Sequence, residues 1–193
     1  MQYALNRRIA RARVPMQVLR GFNPTEPGKL SLLAAPIDGQ AIQSGMVIVR
    51  GTGTVNGKAS QQGWLKAQAA DSIGATGANE VISYFLALHD QDSHDVQASG
   101  GLVGLDCSDD YEVQTGYFVK SGSYVFNSPL TCGADGQVTL ATVTNANILG
   151  YVTRVGSGAN GQIPYVGKTP PTANAADAEV LQFKTSRSGQ RKA

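Results

Sequence analysis

The stretch Asp110–Val155, DYEVQTGYFVKSGSYVFNSPLTCGADGQVTLATVTNANILGYVTRV, decides the fold. Its apolar residues come in short runs separated by glycine, serine and asparagine, the punctuation of strands and tight turns. Glu112–Lys120 and Tyr124–Phe126 are rich in β-branched and aromatic side chains and read as strands. Ala134-Asp135-Gly136-Gln137 is a turn signal, because a type I′ hairpin turn needs positive φ at both central positions and Asp-Gly tolerates it. Val138–Val143 alternates apolar and hydroxyl side chains, the period of a half-buried strand. Ile148–Val155 follows, and Gly150 inside it predicts a bulge or a close backbone contact.

Working outward, Met46–Val49 reads as a short apolar strand, and Gly51–Gly63 as a loop or hairpin with Asn56-Gly57 at its tip. Trp64–Ala70 reads as a short strand or helix, Val81–Leu88 as a central strand, and Gly101–Asp106 as another short strand. Glu179–Thr185 alternates, with Val180, Gln182 and Lys184 on one face and Leu181 and Phe183 on the other, and is expected to close the fold. Ile42–Val47 and Val113–Phe118 echo one another, each a glycine turn entering an apolar strand. With 23 glycines in 193 residues, this pattern predicts an all-β fold: a compact, jelly-roll-like β-barrel or β-sandwich over residues 41–185. Residues 1–40, broken by Pro15, Pro24, Pro27 and Pro36, read as an extended arm whose Leu30, Leu32 and Leu33 touch the body. Residues 186–193 read as a short basic tail.

The net charge of +2 conceals an asymmetry. Arg7, Arg8, Arg11, Arg13 and Arg20 lie in the first twenty residues with no acid among them. Lys184, Arg187, Arg191 and Lys192 close the chain, again with no acid. The remaining seven basic residues face all 14 acids in the body. Basic ends on an acidic body favour association through the ends over uniform nucleic-acid binding. Arg7, Arg8, Arg11, Arg13, Arg20, Lys184 and Arg187 are therefore the candidate partner-binding residues. Cys107 and Cys132 have no CxxC spacing and read as two buried free thiols. The N-terminal arginines have no apolar run beside them, so neither a secretory signal nor a membrane span is expected.

Motifs for chemistry are absent or imperfect. Gly161–Thr169 imitates a phosphate-binding loop, but it has five residues where four are needed, and Pro170-Pro171 block the helix that should follow. Gly51-Thr52-Gly53 starts like a dinucleotide fingerprint with no helical pattern after it. His89–Asp95, with His89 and His94, holds ligand-type side chains without the spacing of a closed metal site, and reads as a solvated loop. No catalytic residue, metal or cofactor is expected.

The run Tyr84–Leu88, the segments Asp95-Val96 and Gly101–Leu105, the hairpin Ser128–Thr139 and the return strand Ile148–Val152 resemble the capsid decoration (cement) and related head structural proteins of tailed bacteriophages. The likeness spans Tyr84 to Arg154 and rests above all on Ser128–Thr139. It implies an all-β protein on the capsid surface of a virion, made in the host cytoplasm. Its partners would be the major capsid protein and further copies of itself, with no direct nucleic-acid or membrane contact. A carbohydrate-binding or adhesive β-sandwich is the alternative, and it would favour exposed aromatics on one face. A metal-dependent enzyme using His89 and His94 is a third reading.

Overall fold

The computed structural model describes residues 17–20, 31–73, 82–92, 101–107, 111–144, 146–154, 163–164 and 179–186. The chain is all-β, with two short 3-10 turns and no α-helix among these residues. The strands are β1 (Gln17–Arg20), β2 (Ser31–Ala34), β3 (Val47–Val55), β4 (Lys58–Lys66), β5 (Phe85–Ala87) and β6 (Leu102–Asp106). They continue as β7 (Glu112–Thr115), β8 (Pro129–Cys132), β9 (Val138–Leu140), β10 (Gly150–Arg154), β11 (Ile163–Pro164) and β12 (Glu179–Thr185).

One sheet runs β2-β6-β5-β3-β4, and the other runs β1-β7-β12-β10-β8-β9 with β11 beside β12. Every strand pairing is antiparallel. The sheets meet across one core. Val47, Val49, Leu86 and Leu105 from the first sheet pack with Val113, Leu130, Val138, Val152, Leu181 and Phe183 from the second. The opposite face of the first sheet is buried as well, with Ile48, Trp64, Phe85, Ala87 and Leu102 under Ile42, Met46 and the partly buried Tyr117. Burial on both faces explains why Met46–Val49 and Tyr84–Leu88 are continuous apolar runs without alternation. The outer face of the second sheet is polar instead. There Glu112 Oε1 accepts from Gln182 Nε2 at 2.8 Å and from Thr153 Oγ1 at 3.2 Å, tying β7, β12 and β10 together.

The two turn signals are realised. Asn56 and Gly57 have φ of 51° and 76° at the β3–β4 tip, and Asp135 and Gly136 have φ of 53° and 70° between β8 and β9. The first tip is tied down by Asp38, whose carboxylate accepts from the Asn56 N–H at 2.8 Å and the Gly57 N–H at 2.9 Å. Gly150 is a close backbone contact as expected, since a Cβ there would collide with the Lys184 carbonyl oxygen across the β10–β12 ladder.

Several expectations need correction. Tyr124–Phe126 is no strand, because Tyr124 alone turns into the core and the chain reverses at Phe126-Asn127. Glu112–Lys120 keeps ladder pairing only to Thr115, with Phe118 making an isolated bridge to Val138. The run Val138–Val143 is a strand only to Leu140. The alternating segment Glu179–Thr185 does not close the fold from an edge but lies inside its sheet, between β7 and β10. Within the stretch read as an arm, β1 pairs with β7 and β2 with β6, each at a sheet edge. The rest of the arm, 1–16 and 21–30, and the tail 187–193 lie outside the described residues, as do the phosphate-loop imitation apart from β11 and the second half of the histidine loop.

Candidate partner-binding surface

Cys107, Cys132, Tyr84 and Tyr124 are all packed into the core. Cys132 Sγ donates to the Gln68 carbonyl at 3.2 Å and lies 3.4 Å from the Tyr84 hydroxyl, which donates to the Asp71 carbonyl at 2.8 Å. This polar cluster joins β8 to the 3-10 turn Ala69–Ser72. Burial pushes the Cys132 thiol up to about 12, and burial with the neighbouring Asp106 carboxylate holds Cys107 well above the usual thiol range. Burial likewise raises Tyr84 and Tyr124. A protonated thiol is a poor nucleophile, so neither cysteine is set up for attack. Both should stay unreactive toward a maleimide at pH 7.5 in the native protein and become fully reactive in denaturant. Prompt labelling of native protein would contradict their burial. Because the folded protein holds the Cys132 thiol protonated above its unfolded pKa, the stability it contributes is complete below pH ~8.5 and falls as pH rises towards about 12.

The acidic loop after β5 is also stitched inward. Asp90 Oδ1 accepts from the Ser44 N–H at 2.9 Å, and Gln91 Oε1 accepts from the Ile42 N–H at 3.0 Å. Among the described residues no three His, Cys, Asp or Glu side chains gather as a metal site. His89 is partly buried in this loop, and His94 lies outside the described residues.

Of the basic candidates, Arg7, Arg8, Arg11, Arg13 and Arg187 lie outside the described residues. Arg20 contributes its backbone to β1, opposite Glu112. Lys184 is exposed on β12, in register with Glu112 on one side and Tyr151 on the other. Turn residues Asn56, Gly57 and Asp135 are exposed, and Gly136 is buried. Trp64, Tyr111 and Tyr124 are buried, and Tyr117 and Tyr151 are half-buried. Phe126 is the one exposed aromatic among the described residues, at 70% exposure, with Val125 beside it at 59%.

Reading the residues for strands missed this surface. The Val125–Ser128 turn is closed by the Ser128 N–H donating to the Val125 carbonyl at 3.0 Å and by the Val125 N–H donating to Ser128 Oγ at 3.3 Å. Asn127 takes φ 63°, the positive value a type II turn places at its third residue. The Asn127 N–H donates to the Val152 carbonyl at 2.8 Å, which fastens the turn to β10. Phe126 therefore stands at the tip of a braced reversal. Val143, also exposed, follows Ala141, whose N–H donates to the Pro129 carbonyl at 2.9 Å, so both apolar segments leave β8 and β9 at the end opposite Asp135. From Ser121 to Thr153 the chain holds one charged residue, Asp135, and the exposed Arg154 follows at the border. The signal that could have revealed the turn is Asn127-Ser128-Pro129, a turn cluster directly behind Tyr-Val-Phe.

Fold and surface together define an all-β, two-sheet protein that presents an uncharged apolar turn. Comparison with models of known protein families, with curated proteins and with solved structures finds no match.

Proposed function

We propose that the chain is a structural virion protein that binds the outside of an assembled bacteriophage capsid and stabilises it by bridging neighbouring capsid subunits. The observation that carries this reading is local. The segments that resemble head decoration proteins, Ser128–Thr139 and Ile148–Val152, fold as adjoining pieces of one sheet, with β9 and β10 on either side of β8. The hairpin turns at Asp135-Gly136. Supporting it, the described thiols are buried and protonated, and the exposed Val125 and Phe126 sit on a braced turn, an arrangement suited to docking. The partners are the major capsid protein and further copies of the chain, and the basic ends would add electrostatic attraction to an acidic ridge. The glycan-binding alternative is the weaker reading, because Phe126 is the one exposed aromatic among the described residues, while Trp64, Tyr111 and Tyr124 lie inside the body.

The test is add-back. Purified protein is titrated onto expanded shells assembled without it, and bound protein and the temperature of shell rupture are measured. Saturable binding with a higher rupture temperature is expected. The absence of saturable binding would remove this function.

A further inference from the structure

We infer that Asn56-Gly57, at the tip of the β3–β4 hairpin, is a latent site of spontaneous deamidation, and that the Asp38 carboxylate keeps it intact. The inference is independent of the capsid reading and stands on the geometry of this turn.

The chemistry is contained in two residues. The Gly57 backbone nitrogen, on losing its proton, attacks Cγ of the Asn56 side chain. A succinimide ring closes, the C–N bond of the side-chain amide breaks, and that nitrogen leaves as ammonia with the proton the backbone gave up. Water then adds to one of the two ring carbonyls and opens the ring, leaving aspartate or isoaspartate at position 56. Water is the only co-reactant. Asn56 and Gly57 are both exposed, and a Cβ on Gly57 would meet nothing within 4 Å, so neither ring closure nor the entry of water meets a steric obstacle.

Asp38 opposes the first step in two ways. Its Oδ1 accepts from the Asn56 N–H at 2.8 Å, and its Oδ2 accepts from the Gly57 N–H at 2.9 Å. The second bond holds the proton that must leave, and a negative charge beside the nitrogen disfavours the amide anion. The clamp also fixes the conformation. The φ values of 51° and 76° are those of a type I′ turn, whose first central ψ of about +30° points the Gly57 nitrogen away from the Asn56 side chain. Closing the ring requires the peptide between Asn56 and Gly57 to swing round, off the carboxylate.

Asp38 is held in place while that happens. Its own N–H donates to the Thr54 carbonyl at 2.8 Å, and the neighbouring Ile37 N–H donates to the Trp64 carbonyl at 2.9 Å. Ile37 is buried against the hairpin, where a Cβ on Gly53 would stand 2.8 Å from its Cγ2. Deamidation therefore waits on local opening of the tip, and its rate follows the population of the open form.

The experiment incubates full-length wild type, Asp38→Ala and Asp38→Asn in warm, mildly alkaline buffer, each at the same interval below its own melting temperature. Peptide mapping by mass spectrometry follows conversion of amide to acid at Asn56. Asn160-Gly161, the other Asn-Gly pair of the chain, is read in the same digest. Asp38→Ala should convert Asn56 roughly tenfold faster than wild type or more, the scale of losing a hydrogen bond to a charged acceptor. Asp38→Asn keeps one side-chain acceptor without the charge and should fall between them. The rate at Asn160 should be the same in all three. Equal rates at Asn56 in wild type and Asp38→Ala overturn the inference. A slower rate in Asp38→Ala overturns it too, by showing that the carboxylate serves as the base for the attack. Acceleration of both pairs alike means that the variant loosens the chain generally, and it overturns a guard local to the tip. If Asp38→Ala does not melt cooperatively, Asp38→Asn against wild type carries the same comparison, with faster conversion expected and equal conversion overturning the guard.

Discussion

Trp64→Ala is expected to lower stability by about 3–5 kcal/mol, the range for emptying a core aromatic. That is a large part of the ~5–15 kcal/mol available to an ordinary domain. Trp64 sits on β4, yet its indole Nε1 donates to the Leu102 carbonyl on β6 at 2.8 Å. The ring therefore lies across the sheet, over β3 and β5, with Phe85 at 4.9 Å between centroids and the Arg50 guanidinium 5.7 Å from its centre. Alanine would open a void over several strands at once and remove the indole donor from the Leu102 carbonyl. Gly104 exists for the same ring, because a Cβ there would stand 2.7 Å from Trp64 Cζ2 and 3.2 Å from Phe85 Cβ. Gly104→Val should thus destabilise by overpacking, by about 1–3 kcal/mol or somewhat more. Urea unfolding followed by circular dichroism measures both, since fluorescence is lost with the only tryptophan. A cost under about 1 kcal/mol for Trp64→Ala would mean that the ring is not wedged across the sheet as described.

What the sequence revealed and what it hid follow from range. The turns at Asn56-Gly57 and Asp135-Gly136 were legible because their chemistry is contained in two residues. The β3–β4 hairpin was legible because its strands are neighbours in the chain. By contrast, β12 pairs with β7 and β10, and Leu181 meets Thr115 from 66 residues away, a pairing that no local pattern encodes. Alternation in Glu179–Thr185 told its two faces apart but not its interior place in the sheet. Tyr124–Phe126 misled because three large apolar residues in a row suit a buried strand equally well. Only the packing shows that Tyr124 enters the core, its hydroxyl donating to the Val119 carbonyl at 2.7 Å, while Val125 and Phe126 turn outward. An exposed aromatic is invisible to a method that treats every apolar run as core. The basic residues were legible as a charge pattern, but the body brings only Lys184 into view, and it stands on the polar outer face of the second sheet.

Gly136→Ala is expected to cost about 3 kcal/mol, against about 1 kcal/mol for Gly57→Ala, although both glycines close turns of the same kind. The shared part is backbone strain. Each glycine has φ above 70° or close to it, and a Cβ in that region costs about 1–2 kcal/mol. The difference lies in what surrounds them. A Cβ on Gly57 meets nothing within 4 Å, because the β3–β4 tip stands in solvent. A Cβ on Gly136 would stand 2.8 Å from the Val47 carbonyl oxygen and 3.1 Å from Met46 Cβ. The Gly136 N–H donates to the Ala67 carbonyl at 2.8 Å, so the β8–β9 turn is docked against the start of β3 and the end of β4 in the opposite sheet. The Lys66–Asp135 ion pair, 3.4 Å long and largely solvated, marks the same junction and adds little energy of its own. Side chains at position 136 therefore press one sheet away from the other, and valine, larger and β-branched, should cost more than alanine. Paired urea titrations of Gly57→Ala, Gly136→Ala and Gly136→Val give the ordering directly. Equal costs for the two alanine variants would show that strain alone sets the penalty and that the β8–β9 turn is not a contact holding the two sheets together.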